Sequence, residues 1–348
     1  MQKLESDKTK EIDWRRGFIL AIGIAIVTIL ASLLSLSLGP AQSSVLDLFS
    51  DFQEERSLAI DIICRVRLPR VILSILTGAA LSVSGAALQA IMRNPLADPY
   101  ILGISGGAFF GTFLFSLLSG ANMLLSSLGR PFSAFFGAIA TLVILIYLSR
   151  IKGRISSTSL LLIGVIINSF FTALILFLLA FTEFSRVQSS FFWIAGSIGS
   201  PDYLSLIFVA IFLITGLLTL LTVSRALNIL SLGESTAFSL GVDVERVKLL
   251  SIVAASLMTA AAVSFAGLIG FVGLMIPHIF RLILGPDNRI LLINCATGGA
   301  LFLLACDTLG RIIMPPSEVP AGIMTAMAGC PFFIWLYLKE KGEKIEID

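Results

Sequence analysis

The sequence predicts an all-α polytopic membrane protein with ten transmembrane helices. Of its 348 residues, 57% are hydrophobic and only 13% are charged, and the mean hydropathy is +0.99. Because a soluble domain carries about 25% charged residues, much of this chain must face lipid rather than water. The apolar residues also fall into successive runs of roughly 20, the length at which a helix crosses a bilayer.

The first six runs are predicted as helices from their length and composition. They lie near Gly17–Leu38, Val71–Met92, Tyr100–Leu118, Phe132–Leu148, Leu160–Phe181 and Tyr203–Val223. Basic residues precede the first run, as in a signal peptide, but the run exceeds the apolar stretch of about 7–15 residues found there. We therefore expect a retained first helix behind a cytoplasmic tail of residues 1–16.

The stretch Leu249–Phe280 carries no formal charge and is too long for one straight helix. Gly267, Gly270 and Gly273 lie in its middle, and glycines permit a tight reversal. We therefore predict a seventh and an eighth helix here rather than one.

The last two helices are predicted near Ile290–Leu309 and Ala321–Leu338. Ten spans place both termini in the cytoplasm and most of the 24 basic residues on the inner side, in agreement with the positive-inside rule. Residues 17–338 then form a single transmembrane domain, followed by a cytoplasmic tail of residues 339–348.

Composition and motifs argue against several other classes of protein. A net charge of +2 does not indicate a nucleic-acid partner. The four cysteines have no CxxC spacing and His278 is the only histidine, whereas a metal site needs three or four ligands. The chain has no GxxxxGK[ST] loop to bind nucleotide phosphates and no HExxH motif. We expect neither a bound metal nor an enzymatic activity.

A short amphipathic helix is predicted between the sixth and seventh spans, on the inner side. Its apolar residues are Leu232, Ala237, Phe238 and Leu240, separated by polar ones, and Gly241 ends it. Such a helix either lies on the lipid surface or inserts into a groove of a cytoplasmic protein.

Arginines mark the outer end of the second span and of the ninth. Arg67 and Arg70 flank Pro69, and they either reach to lipid headgroups or pair with carboxylates of an external partner. Arg311 follows Asp307 by one helical turn, so these two residues are predicted to pair with each other.

Small residues recur at helical spacing in the second and third spans. Gly103, Gly107 and Gly111 lie four residues apart, and Gly78 and Gly85 lie in the preceding span. Such faces let helices approach closely in lipid, so we expect tight helix packing there.

The sequence from about Arg65 to the C-terminus resembles the FecCD family, the permease subunits of ATP-driven importers for ferric siderophores, haem and cobalamin. The resemblance lies in an ordered set of motifs: Arg67-Leu-Pro-Arg70, Gly78-Ala-Ala-Leu81, Ser84-Gly-Ala86, Gln89, Asn94-Pro-Leu-Ala-Asp-Pro99, Leu102-Gly-Ile-Ser-Gly-Gly-Ala108, Trp193-Ile-Ala-Gly-Ser197, Leu232-Gly-Glu234, Ala237, Leu240-Gly241, Gly270-Phe-Val-Gly-Leu-Met-Ile-Pro-His278, Arg281, Asp307, Pro320-Ala-Gly-Ile-Met-Thr325 and Pro331.

The resemblance implies the type II ABC importer permease fold and a set of partners. Two permease subunits, expected to be identical, surround a central pathway in the plasma (inner) membrane of a prokaryote. Two cytoplasmic ATPase subunits bind ATP and Mg, and a substrate-binding protein docks outside. No cofactor is expected on this chain itself.

The resemblance also implies roles for individual residues. Docking of the binding protein is expected at Arg67, Arg70 and Arg311. Coupling to the ATPase is expected in residues 229–245, at Leu232, Gly233, Glu234, Ala237, Leu240 and Gly241. The inner gate is expected at Ser157 and Thr158, and the pathway at Asn168, Ser169 and Thr172 of the fifth helix and at Met324 and Met327 of the tenth. Helix packing is the alternative for each pathway residue.

The resemblance therefore implies a permease for a metal chelate, first a ferric siderophore and otherwise haem or cobalamin. The alternative is an ion-coupled secondary transporter of a small solute. That class would require a cluster of ion-binding residues at mid-membrane, and no chain of buried carboxylates is visible in the sequence.

Overall fold

The computed structural model describes residues 14–39, 53–118, 123–151, 154–182 and 191–345. The N-terminal tail predicted for residues 1–16 lies almost wholly outside them. The helices are α1 (Trp14–Ser37), α2 (Gln53–Ile62), α3 (Leu68–Met92), α4 (Ile104–Leu118), α5 (Met123–Ser149), α6 (Ser157–Leu179), α7 (Tyr203–Ser231), α8 (Glu234–Ser239), α9 (Val244–Ala266), α10 (Val272–Leu284), α11 (Asn288–Ile312) and α12 (Ala321–Ile345).

The predicted all-helical class is confirmed, with one small exception. Residues Arg150–Ile151 (β1) and Arg154–Ile155 (β2) pair antiparallel between α5 and α6. A two-residue ladder has no hydrophobic alternation that the sequence could reveal, so it was not predicted.

Eight of the described helices are long and apolar enough to cross a membrane. The helices α4 and α10 are apolar but shorter, and the 13 residues of α10 span only about 20 Å at 1.5 Å per residue. All ten predicted runs are thus helical, while the count of ten membrane spans stays a prediction.

Several helices are longer than the predicted runs; α5 begins at Met123 and α7 ends at Ser231, and α3 and α12 are also extended. Helix α3 continues from α2 through a π-helical turn at Ile63–Arg67, so that an apolar span of 34 residues begins at Ala59. Helix α12 continues to Ile345, into the segment predicted as the C-terminal tail. Charged residues near a helix end lower the local hydropathy from which the span was predicted, but the backbone hydrogen bonds of the helix continue through them.

Helix α3 forms the centre of the molecule, because its small residues let neighbouring backbones approach it. A Cβ atom added to Gly78 would lie 2.2 Å from the carbonyl oxygen of Gly299, and one added to Gly85 would lie 1.9 Å from that of Gly273. In the same way, Gly107 of α4 packs against Gly137 of α5. The predicted close packing is confirmed at these positions.

The predicted break in the stretch Leu249–Phe280 is also confirmed. Helix α9 ends at Ala266 and α10 begins at Val272. Gly267 has φ +70°, and a Cβ atom there would lie 2.3 Å from the carbonyl oxygen of Trp193. The backbone N–H of Leu268 donates to that oxygen at 3.2 Å, so the Trp193 motif fixes the position of the break.

The turn between α3 and α4 is held by its own polar side chains. Arg93 ends α3 in the left-handed conformation, with φ +49°. Asn94 and Asp98 then accept hydrogen bonds from the backbone two residues further on, at 2.9 and 2.8 Å. The Tyr100 hydroxyl donates to the carbonyl of Ile269 at 3.0 Å, and this ties the turn to the break after α9.

Candidate functional site

At one end of the bundle, Arg70 lies within a cluster of ionic side chains. Its guanidinium contacts Asp307 at 2.9 Å and Glu318 at 2.6 Å, and Glu318 is the more exposed of the two carboxylates. The predicted pair of Asp307 with Arg311 is confirmed by a distance of 3.2 Å between Oδ2 and Nε. Asp307 is therefore neutralised by two arginines, an arrangement that stabilises a buried charge.

The side chains of Arg67 and Arg311 point into the protein. Arg67 is 4% exposed and donates to the carbonyl of Leu36 at 2.7 Å. Arg311 is 2% exposed and donates to the carbonyl of Leu38 at 3.1 Å and to the hydroxyl of Ser35. These two arginines join α1 to α3 and α11, while Arg70 is the most exposed of the three.

A cleft of about 750 Å³ brings together three of the predicted pathway residues. Asn168, Ser169 and Thr172 of α6 line it, opposite residues that were not predicted as pathway residues: Asp98, Tyr100 and Phe271. The Asn-Pro-Leu-Ala-Asp-Pro turn was the available signal for Asp98 and Tyr100. Phe271, which has φ +68° and immediately precedes α10, belongs to the Gly270-Phe-Val-Gly motif, but that motif did not indicate a place in the pathway.

The other predicted pathway residues lie elsewhere. Met327 lines a second, apolar cleft of about 570 Å³ together with Leu268 and Cys330. Met324 packs over Gly310, where an added Cβ atom would lie 3.3 Å from its Cγ. Within one subunit, the methionines of α12 and the polar residues of α6 therefore line separate surfaces.

Electrostatics distinguish Asp98 from the rest of the first cleft. Burial raises the pKa of its carboxyl to about 6. The hydrogen bond that this carboxyl accepts from the backbone N–H of Tyr100 acts to lower the pKa, but its effect is smaller than that of burial. The cleft therefore contains one acidic group that titrates near neutral pH, among side chains that are apolar or uncharged.

The predicted amphipathic helix is α8, and it presents apolar side chains outward. Leu232, Phe238 and Leu240 are 70%, 72% and 62% exposed, whereas Ala237 is fully buried and anchors the segment. Gly233 and Gly241 flank the helix with φ +128° and +80°, values that favour glycine. The helix ends before Gly241, as predicted.

Next to α8, the predicted gate residue Ser157 begins α6. Its hydroxyl lies 3.4 Å from a carboxylate oxygen of Glu234 and 3.4 Å from the carbonyl of Ile91. Thr158 is exposed on the same first turn. The predicted coupling segment, the predicted gate and the end of α3 thus meet at one place.

His278 lies beside the rings of Phe332 and Phe333, at centroid distances of 6.3 and 6.1 Å. Among the described residues, no three His, Cys, Asp or Glu side chains are close enough together to hold a metal ion. Aromatic packing is the environment that the structure gives this histidine.

Comparisons with known proteins agree with this architecture. The family model described as the FecCD transport family matches residues 26–339. The chain is 37% identical to the hemin transport system permease protein HmuU of Yersinia pestis over 80% of this chain and 84% of that protein. It is 36% identical to the vitamin B12 import system permease protein BtuC of Salmonella paratyphi A, over 93% and 96%.

A solved structure is similar over nearly the whole fold. It is an inward-facing conformation of a protein assigned as a metal-chelate type ABC transporter, with a TM-score of 0.82 and 31% identity. The match covers 92% of this chain and 99% of that one.

Proposed function

Because the chain belongs to the FecCD transport family, we propose that it is the transmembrane permease subunit of an ATP-binding cassette importer for a metal chelate. A ferric siderophore is the first candidate substrate, and haem and cobalamin are the others. The relatives named for hemin and vitamin B12 transport support this class of substrate.

The observation that carries the proposal is the exposed apolar surface of α8. Three large apolar side chains, Leu232, Phe238 and Leu240, project from α8 and from the residues on either side of it, next to the predicted gate. An exposed apolar patch of this kind marks an interaction site. In the proposal, α8 inserts into a separate ATPase subunit, which binds the ATP and Mg, and α6 moves with α8.

A second copy of the chain completes the proposed pathway. The apolar windows of α6 and α12 are only 22% and 17% buried within one subunit. Those of α7 and α1 are buried to the same extents, but the predicted pathway residues lie on α6 and α12. Asn168, Ser169 and Thr172 on α6 and Met327 on α12 line clefts on these two helices. Two copies that meet there would enclose both surfaces around one channel in the plasma membrane of a prokaryote.

Docking of an external substrate-binding protein is proposed at the arginine cluster. Arg70 and its partner Glu318 are the charged groups most able to reach a partner, while the side chains of Arg67 and Arg311 are held by internal contacts. In this proposal Arg67 and Arg311 set the position of the surface, and all three contribute positive potential to it.

Transport by reconstituted vesicles tests the proposal. The chain is purified with a candidate ATPase and a candidate binding protein from the same organism and is placed in vesicles with ATP inside. Radiolabelled ferric siderophore, haem and cobalamin are then supplied outside, each with the binding protein. We expect one of them to accumulate only when both ATP and the binding protein are present.

Two further conditions separate the possible outcomes. Arg70→Glu should reduce the stimulation of ATP hydrolysis by the binding protein while the permease–ATPase complex stays intact, and unchanged stimulation would exclude the docking role.

Uptake driven by a proton or sodium gradient without ATP would instead identify an ion-coupled transporter and overturn the proposal.

A further inference from the structure

Lys248 carries a buried charge at the inner end of α9. Its side chain is 1% exposed, although it lies only one turn after the start of the helix. Burial of an ammonium group is costly unless it is paired and hydrogen-bonded. Its environment must therefore supply specific partners.

Those partners come from two other elements. The Nζ atom contacts a carboxylate oxygen of Glu234, the first residue of α8, at 2.7 Å. It also donates to the carbonyl of Ile155, the last residue of β2, at 2.9 Å. One ammonium group thus connects α8, the β1–β2 hairpin and α9.

The same small region is held by two more contacts. The backbone N–H of Ile155 donates to Glu245 of α9 at 2.9 Å, so α9 holds both backbone polar groups of that residue. Ser157, two residues further on and the first residue of α6, lies 3.4 Å from the carboxylate oxygen of Glu234 that Lys248 contacts. The start of α6 is therefore linked to α8 through Glu234 and Lys248.

The consequences of moving α8 follow from the burial of these charges. Glu234 is 40% exposed and would remain solvated if α8 moved away, but Lys248 would be left buried and unpaired. Removal of one partner of a buried charge is strongly unfavourable. A rigid movement of α8 together with the hairpin and α9 avoids that cost.

We propose that Lys248 is a positioning residue that transmits the movement of the coupling helix α8 to the hairpin and to the gate at the start of α6. The inference rests on the proposed function and deepens it, because it names the contact through which the ATPase-facing segment acts on the pathway. Lys248 itself needs no contact with the ATPase or with the substrate.

The test measures substrate uptake and ATP hydrolysis in the same vesicles. Lys248→Met removes the charge and keeps the length of the side chain. We expect co-purification of the ATPase and ATP hydrolysis to persist, while uptake per ATP falls by about 5-fold to 150-fold, the range typical of coupling between linked sites. Lys248→Arg keeps the charge, so its uptake per ATP should lie between that of Lys248→Met and that of the unsubstituted protein.

Controls separate coupling from folding. Lys339→Met removes an exposed lysine on α12 and should leave the ratio unchanged. If Lys248→Met fails to assemble, Lys248→Gln replaces it, because an amide can still donate to the carbonyl of Ile155. An unchanged uptake per ATP in the assembled variant would overturn the inference, and the proposed function would still stand. Failure of the unsubstituted complex to transport would instead count against the proposed function.

Discussion

At the scale of single residues, the hydrogen-bond and ionic partners of a buried carboxylate decide whether its pKa lies above or below the usual range. Asp98 and Asp287 are both carboxylates in turns between helices, but their surroundings differ. Burial raises the pKa of Asp98 to about 6. Burial also acts to raise the pKa of Asp287, but hydrogen bonds from Arg289 and Asn228 outweigh it, so that the pKa lies below its usual range.

The two carboxylates should therefore give opposite dependences of stability on pH. The folded state holds a proton on Asp98 more tightly than the unfolded chain, whose pKa is about 3.9. Its contribution is thus present at low pH and is lost as the pH rises through about 6. Asp98→Asn should raise the melting temperature at pH 7.5, corresponding to on the order of 2 kcal/mol, and the gain should shrink by pH 5.

Asp287→Asn is the matched control and should lower the melting temperature at pH 7.5. That loss should vanish as the pH falls below the low folded pKa of Asp287, since the carboxylate form is the stabilising one there. Thermal unfolding in detergent at several pH values measures both variants. If both variants changed the melting temperature in the same direction and by the same amount at pH 5 and pH 7.5, the opposite pKa shifts of the two carboxylates would be contradicted.

At the scale of elements, the helix α8 shows how context stabilises a segment that could not fold alone. Six residues are far too few for an isolated helix in water. Buried Ala237, the glycines on either side and the Glu234–Lys248 pair hold it in place. The exposed side chains of Phe238 and Leu240 are thereby left available for a partner.

Substitution of Phe238→Ser should weaken the complex with the ATPase. A central aromatic side chain at an interface contributes about 2 kcal/mol or more, which is roughly 30-fold in the dissociation constant. Ser239→Ala, on the next residue of the same helix and also exposed, should have no effect. Titration of the purified permease with the ATPase measures the affinity, and equal affinities for the two variants would show that α8 does not carry the interface.

At the scale of the whole molecule, the number of membrane crossings determines which ends of the helices lie on the same side as α8. Eight described helices are long enough to cross, and α4 and α10 are shorter. If both cross, α8 lies inside and the segment between α11 and α12 lies outside. If either remains on one side, the orientation of the helices that follow it reverses.

Cysteine labelling distinguishes these topologies. In a background without the exposed Cys64 and Cys330, single cysteines are placed at Ser235 and Ser317, both exposed. With ten crossings, Ser317→Cys should react with an impermeant maleimide in intact cells, and Ser235→Cys only after the membrane is opened. Labelling of Ser235→Cys in intact cells would mean that α4 does not cross. Protection of Ser317→Cys, with Ser235→Cys also protected, would mean the same for α10.

The membrane class, the positions of the helical segments, the break after Ala266 and the amphipathic segment at α8 could all be predicted from the amino-acid sequence, because apolar length, helical period and glycine chemistry are local properties. The pair of Asp307 with Arg311, one turn apart on a helix, was predictable for the same reason. The contact of Arg70 with Asp307, 237 positions away, and that of Lys248 with the hairpin, 93 positions away, became visible only in the folded chain. Those contacts form only when the packed helices have the right rotation and register relative to one another. Close backbone approaches, such as that of Gly78 to Gly299, fix this arrangement, and no pattern along the chain reveals it.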